Sequence, residues 1–420
     1  MHKLSLPSVA LMALALSACQ NSDEPQATTS PTTATGVFKD HNVSGATYVS
    51  GRQTGITGTN GSFTYEAGNT VTFSVGGVTL GTANGGAVVT PVDLVTNASA
   101  NSPQVRNIVR FLMMLDSDAD PGNGIQISSA VRTLANSWGQ VDFNSANLDT
   151  EPGLASIIAQ VASVNPSTPS LPNNQTAQAH IESTLFCINA GAYIGTFTGS
   201  EQGRFGFRVD ALNNQVNVIS FRTLPVSATP ITLTGDKNIN PAFFAITPSY
   251  LKAFVSGRLD IDDLNSNADV TEIETTYTGR FPTARSVNEG DFSSIDSVNG
   301  SWSNNIAGTL GTFSGSRIGG ASNTPYRFAT NYTANSGPAD AGLYTFDING
   351  SNVTGVAYSV VNNTQENLSG TLTGTSLVVN TTSGITITAT LDTSAGTIAN
   401  GRWNGAGASG TFTGNGCRLN

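Results

Sequence analysis

Asn400-Gly401-Arg402-Trp403, followed by Gly410-Thr411-Phe412-Thr413-Gly414-Asn415, is the stretch whose reading decides the fold. Both runs stand earlier in the chain, as Asn299-Gly300-Ser301-Trp302 and Gly311-Thr312-Phe313-Ser314-Gly315-Ser316, at nearly equal spacing. The second run has a third copy, Gly195-Thr196-Phe197-Thr198-Gly199-Ser200. The two later copies each close on a basic residue, Arg317 and Arg418. Within a run, Gly and Phe alternate with Thr and Ser, the period-2 pattern of a half-buried strand. A repeated pair of such runs predicts duplicated antiparallel units that close as a barrel or a large sandwich. Arg204 to Val209, Thr276 to Phe281 and Ile385 to Leu391 read as further strands. The β domain is expected over 187–420.

Toward the N-terminus the texture changes. Over 96–186, Val105, Ile108, Val109, Leu112 and Met113 recur at helical spacing after Ser102-Pro103, a helix start. Ser128 to Trp138, Glu151 to Val164 and Thr176 to Phe186 read the same way, so a short helical connector is expected. Over 36–95, short alternating runs such as Ser62-Phe63-Thr64-Tyr65 and Thr70-Val71-Thr72-Phe73-Ser74-Val75 are separated by Asn60-Gly61, Gly68-Asn69 and Gly76-Gly77. Those are hairpin turn residues, and a small β-sandwich follows. The stretch from Gly55 to Gly81 is similar to the prealbumin-like or carboxypeptidase-regulatory-like β modules that recur as spacers in bacterial envelope proteins. Its shared residues are turn and core residues, so the resemblance implies a fold and no chemistry. The fold class is mainly β: a small N-terminal sandwich, a helical connector and a large repeat-built antiparallel domain.

Composition agrees with this class. Only 11% of the 420 residues are charged and 45 are glycine, against about 25% charged in ordinary soluble proteins. The formal net charge of −10 argues against nucleic acid and anionic lipid as partners.

Residues 20–35 (QNSDEPQATTSPTTAT) are polar, rich in Thr, Ser and Pro, and read as a disordered tether. Before them, His2 and Lys3 give a basic start, and Leu4 to Leu16 is an apolar run too short to span a bilayer. The run closes on Leu16-Ser17-Ala18-Cys19, which resembles the lipobox of bacterial lipoproteins. The resemblance implies cleavage between Ala18 and Cys19, acylation of that cysteine, and anchoring of a soluble body by acyl chains. Gln20 stands where an aspartate retains such proteins at the inner membrane, so the resemblance implies the outer membrane, with the periplasmic or surface face left open.

With Cys19 used by the anchor, Cys187 and Cys417 are left. In an oxidising compartment the simple reading is a disulfide tying the ends of the β domain. The entropy it removes from the unfolded chain is worth roughly 5 kcal/mol at most.

Site chemistry is sparse. Asp116-Ser117-Asp118-Ala119-Asp120-Pro121-Gly122-Asn123-Gly124 places carboxylates on alternate residues and resembles the opening of EF-hand and related calcium loops. It departs from them at Pro121, where glycine belongs, and at Ile127, where the bidentate glutamate belongs. Asp116, Asp118 and Asp120 are candidate calcium ligands; the same residues also read as an acidic helix-ending turn. A second acidic run, Asp263, Asn265, Asn267, Asp269, Thr271 and Glu274, reads as a solvated hairpin loop. His41 and His180 lie near no nucleophile-elbow pattern, and His180 keeps helical spacing. Trp302 and Trp403 are sugar-stacking platforms if exposed and core residues if not.

The expectation is a lipid-anchored envelope protein, non-enzymatic, presenting a β-rich binding or adhesive surface to a glycan or protein ligand. The alternatives are a glycan-acting hydrolase that uses carboxylates of the β domain and a periplasmic partner of an envelope assembly machine.

Overall fold

The fold is seen in a computed structural model that describes residues 31–165, 170–212, 215–224, 231–236, 243–246, 275–280, 297–304, 309–319 and 324–419. The lipobox, Cys19, most of the tether and the second acidic run fall outside the described residues.

The N-terminal part begins with β1 (Thr33–Phe38), β2 (Val43–Ser44), β3 (Thr47–Ser50), β4 (Gln53–Ile56), β5 (Ser62–Glu66), β6 (Thr70–Val75), β7 (Val78–Asn84) and β8 (Val88–Val89). They form a three-stranded sheet, β5-β1-β8, and a four-stranded sheet, β4-β3-β6-β7. In β6, Val71, Phe73 and Val75 are buried while Thr70, Thr72 and Ser74 face outward, as the alternation requires. Phe73 stacks on Phe38 at 4.2 Å and meets the edge of Phe63 at 5.1 Å, so the two sheets share their inner faces.

Helices α1 (Pro103–Met114), α2 (Ser129–Ala135), α3 (Leu154–Val164) and α4 (Asn174–Asn189) follow, with a short strand β9 (Ile125–Gln126) paired to β2. In α1, Pro103 opens the helix, and Val105, Ile108, Val109, Leu112 and Met113 are all buried. The hydrophobic core does not stop at residue 95: the sandwich and the helices are one continuous cluster that runs from Phe38 to Leu185. Gly76 shows why. Its φ is +56°, and a Cβ there would collide with the backbone of Ala135; the turn docks on the end of α2, and the Gly77 amide donates to Ala135 O (2.9 Å).

The C-terminal region holds two eight-stranded arrays. The first is built from β10 (Gly191–Gly199), β11 (Gln202–Val209), β12 (Gln215–Leu224), β13 (Ile231–Asp236), β14 (Phe243–Ile246), β15 (Thr275–Arg280), β16 (Ser297–Asn304) and β17 (Thr309–Ile318). Its order is β13-β12-β11-β10-β17-β16-β15-β14, so its first strand pairs with its last. The second is built from β18 (Tyr326–Ser336), β19 (Ala341–Asn349), β20 (Asn352–Ser359), β21 (Thr364–Thr373), β22 (Ser376–Thr381), β23 (Thr386–Asp392), β24 (Thr397–Gly405) and β25 (Ala408–Arg418). It is a closed barrel in sequence order, β18 pairing with β25.

The sequence repeat marks equivalent places in the two arrays. The Trp302 indole donates to Thr198 O (3.1 Å) and the Trp403 indole to Thr333 O (3.3 Å). Each ring meets an aromatic of the opening strand edge-on: Phe197 at 5.6 Å, Tyr332 at 5.9 Å. A Cβ at Gly311 would collide with Thr198 O and the Trp302 indole, and one at Gly410 with Thr333 O and the Trp403 indole. The repeated glycine is there so that the tryptophan can lie across it. Arg317 sits over the Tyr193 ring (5.2 Å) and Arg418 over Tyr326 (6.0 Å).

The barrel interior is filled by Phe328, Phe346, Ile348, Leu368, Leu377, Ile387 and their neighbours, as expected for eight strands. Its outer wall at Ala329, Leu343, Tyr358 and Val360 packs on Ala192, Ile219 and Ile318 of the first array. Arg204 reaches across to the carbonyls of Val360 (2.9 Å) and Val361 (2.5 Å). Arg208, 6% exposed, bonds Asp210, Asn217 and, on the barrel, Asn331.

Candidate functional site

Cys187 and Cys417 form a disulfide that spans 230 residues. One sequence expectation is corrected here. Cys187 lies in the last turn of α4, two residues before the helix ends at Asn189, so the bond does not join first strand to last. It ties the helical part to the closing strand of the barrel.

The same junction gathers the two histidines. Asp40, fully buried, pairs with His180 Nε2 at 3.2 Å. Burial alone would depress the His180 imidazole, but the charge and hydrogen bonding of Asp40 override it and hold its pKa above the ordinary value. His41 adopts a left-handed backbone (φ 54°) and tilts against the His180 ring at 4.6 Å. Its amide donates to Thr184 Oγ1 (2.9 Å), and its Nδ1 lies 3.2 Å from the same oxygen. Burial, then the charges of His180, Lys39 and Arg418, push His41 down to about 3. Lys39 donates to Leu419 O (2.5 Å) and is lowered to about 8 by burial and by Arg327. The His180–Asp40 pair and the His41–Thr184 contacts join α4 to the loop between β1 and β2. Sequence reasoning placed His180 correctly on a helix but had no signal for Asp40, which is distant in the chain.

The aspartates of the 116–124 loop are held by the loop's own donors. Asp116 is fully buried, accepts from the Gln126 amide (2.8 Å), and burial pushes its carboxyl up to about 6. Asp118 accepts from the Asp120 amide (3.0 Å) and the Asn123 side chain (3.0 Å). Burial opposes ionisation of Asp118, but those bonds outweigh it and lower its pKa. The Asp120 side chain caps the following turn at Gly122. Among the described residues no group of three or more His, Cys, Asp or Glu side chains is arranged to hold a metal ion. The Asn123 side-chain amide donates to both Asp118 (3.0 Å) and Asp120 (3.4 Å), so the loop's own donors draw these carboxylates together.

Trp302 and Trp403 are 4% and 5% exposed. They are core residues, and the stacking-platform reading is set aside.

What is exposed is the barrel wall opposite the first array. Thr371, Val378, Thr388, Arg402 and Thr411 stand directly opposite one another across β21 to β25. Ser369, Asn380, Thr386, Asn404 and Ser409 form the next row. Arg402 is the one charged residue in the two rows, and all but the half-buried Ser409 are exposed. Adjacent strands lie about 4.8 Å apart, so hydroxyl and amide groups stand on a regular grid. Such a grid offers donors and acceptors to a neutral hydrogen-bonding ligand and little to a charged or apolar one. The sequence carried this signal as strict alternation, but which strands lie side by side is visible only in the register.

Compared with known protein families and with curated proteins, the chain matches no family model and no curated sequence.

Proposed function

We propose that this chain is a lipid-anchored protein of the bacterial outer membrane, held by acyl chains on Cys19, whose β-built body is a non-enzymatic binding or adhesive surface. The observation that carries the reading is the grid of Thr, Ser and Asn, with Arg402 its one charged residue and Val378 its one apolar one, on a barrel whose interior is filled. A filled barrel offers no lumen for a ligand, so contact falls to its outer surface. The ligand best suited to the grid is a neutral polyhydroxylated one, a glycan. Two or three acyl chains, at roughly 0.8 kcal/mol per buried methylene, hold such a body firmly without a spanning helix. Among the described residues no helix is long and apolar enough to cross a membrane.

The anchor is tested by fractionating cells that express the wild type or Cys19→Ala. The wild type is expected in the membrane fraction and the variant in the soluble one; a variant that stays with membranes contradicts the anchor. Turnover of a glycan panel by the purified protein, abolished by a single Asp or Glu substitution, would replace the binding reading with the hydrolase one.

A further inference from the structure

The repeat lets one strand of the barrel be compared with its own copy. In β16, Asn299-Gly300-Ser301-Trp302 runs in unbroken register against β15 on one side and β17 on the other. In β24, Asn400-Gly401-Arg402-Trp403 does not. Between Ala399 and Arg402 lie Asn400 and Gly401, where β23 has only Ala389 between the matching partners Thr390 and Thr388. Between Thr397 and Arg402 lie residues 398–401, where β25 has only 412–414 between Asn415 and Thr411. The strand therefore carries one extra residue against both neighbours, a β-bulge. Asn400 takes it up in a left-handed conformation (φ 57°), which Asn299 does not adopt.

The bulge is not what seats the indole. Trp302 lies across Gly311 in regular register just as Trp403 lies across Gly410 beside the bulge. Its effect falls on the outer face. Ala399 and Asn400 are both exposed, and two residues beyond Asn400 stands the exposed Arg402, where the first array has Ser301. Bulges re-aim side chains and recur next to functional sites.

Arg402 stands among hydroxyls. Thr388 on β23 and Thr411 on β25 are directly opposite it. Side chains share a face at every second residue, so Thr386 and Thr390 flank Thr388, and Ser409 and Thr413 flank Thr411. Thr386 bonds the Asn380 side chain (2.9 Å) and Ser409 bonds Ser336 (2.8 Å). Among the described residues Arg402 has no ion-pair or hydrogen-bond partner, and the hydroxyls of Thr388, Thr390, Thr411 and Thr413 have none either. The other two basic residues of the barrel strands are engaged: Arg327 with Asp347 (3.7 Å), and Arg418 over the Tyr326 ring.

We propose that Arg402 and the hydroxyls around it bind the carboxylate of an acidic sugar, which makes the glycan on this wall one with scattered uronate residues. The inference rests on the reading of the wall as a glycan-binding surface and names which glycans it selects. A guanidinium holds a carboxylate through two parallel N–H donors. The hydroxyls on either side give and accept bonds with the hydroxyls of the same sugar and its neutral neighbours. One guanidinium matches one carboxylate. A chain with an acid on every sugar would approach a protein of net charge −10 with no second basic residue in these rows to receive it.

The test is an array of uronate-bearing oligosaccharides from hyaluronan, glucuronoxylan and bacterial capsules, each printed beside its carboxyl-reduced, neutral form, with oligoguluronate as a polyanion. The full-length protein, purified in detergent, is applied as wild type, Arg402→Gln and Arg402→Lys. The substitutions are on an exposed surface, so the fold is retained, and melting curves check it. Wild type is expected to bind a uronate form about tenfold tighter than its reduced form. Arg402→Gln loses that preference, and Arg402→Lys, with the charge but not the planar fork, recovers only part of it. Equal binding of the two forms by wild type, or a preference that survives in Arg402→Gln, overturns the proposal and leaves the wall reading standing. Binding of no form at all overturns the wall reading and the proposal with it. Oligoguluronate binding tightest would mark attraction to charge alone, and a capped glutamate peptide competing as well as the uronate form would assign a polypeptide partner; either overturns the proposal.

Discussion

In the array β10–β17 the indole of Trp302 lies across Gly311 and bonds Thr198 O; in β18–β25 the indole of Trp403 lies across Gly410 and bonds Thr333 O. The pairing of first and last strand is also the same, with Phe197 opposite Phe313 and Tyr332 opposite Phe412. Yet β18–β25 is a closed barrel, while the first array is a sheet ending on β13 and β14. The repeated motif therefore specifies how three strands meet, and closure is decided elsewhere. In the barrel, turns of a few residues join β21 to β25, and Leu368, Leu372, Leu377, Val379, Ile387 and Leu391 carry one inner face through that arc. Short turns fix register, and a continuous inner face makes closure bury apolar surface. In the first array, β14 and β15 are separated by residues 247–274 in the sequence.

The sharpest test of this equivalence is a matched pair of truncations. Trp302→Ala and Trp403→Ala each remove a buried indole and its hydrogen bond from the same setting. Each is expected to cost about 4 kcal/mol in urea unfolding followed by circular dichroism. Similar losses support one closing device used twice. A Trp302→Ala protein as stable as the wild type would break the comparison.

A smaller effect distinguishes the two ends of the barrel. His41 has a folded pKa of about 3, against 6.5 in the unfolded chain. The unfolded state therefore binds this proton first, and the contribution of His41 is complete above pH 6.5 and lost as pH falls toward 3. His180 works the other way: its raised pKa gives stability that is complete below 6.5 and lost as pH rises through the folded value. Wild-type stability is expected to fall by about 2 kcal/mol between pH 6.5 and pH 4.5 from the His41 term. His41→Asn should flatten that limb of a urea-against-pH series, while Glu366→Gln at the far mouth should leave it in place. An unchanged limb in His41→Asn would mean that the junction does not govern acid sensitivity.

The parts legible in the sequence are those set by neighbours in the chain. Alternation gave β6, helical spacing after Pro103 gave α1, and cysteine count gave the Cys187–Cys417 pair. What escaped needs partners far apart. The division of the β domain into two arrays depends on β10 pairing with β17 and β18 with β25. The placement of Cys187 in α4 depends on where a helix ends, the least sharply encoded of local features. The merging of sandwich and helices into one core depends on contacts such as Gly76 against Ala135. The His41–His180–Asp40 joint lies across the whole N-terminal part, and the wall grid exists only once strand register is known. The acidic loop is the local case: its spacing is read directly from the sequence, and its aspartates meet donors within the same loop.

The measurement that bears most directly on the binding reading is adhesion of the surface wall itself. Wild-type protein and a Thr371→Glu/Thr388→Glu variant are applied to an array of neutral glycans, with melting curves confirming that both fold. Exposed substitutions on a barrel wall should leave the fold intact while placing two negative charges in a grid whose one charged residue is Arg402. Binding by the wild type and its loss in the folded variant is the expected result. Equal binding by both proteins would contradict the account.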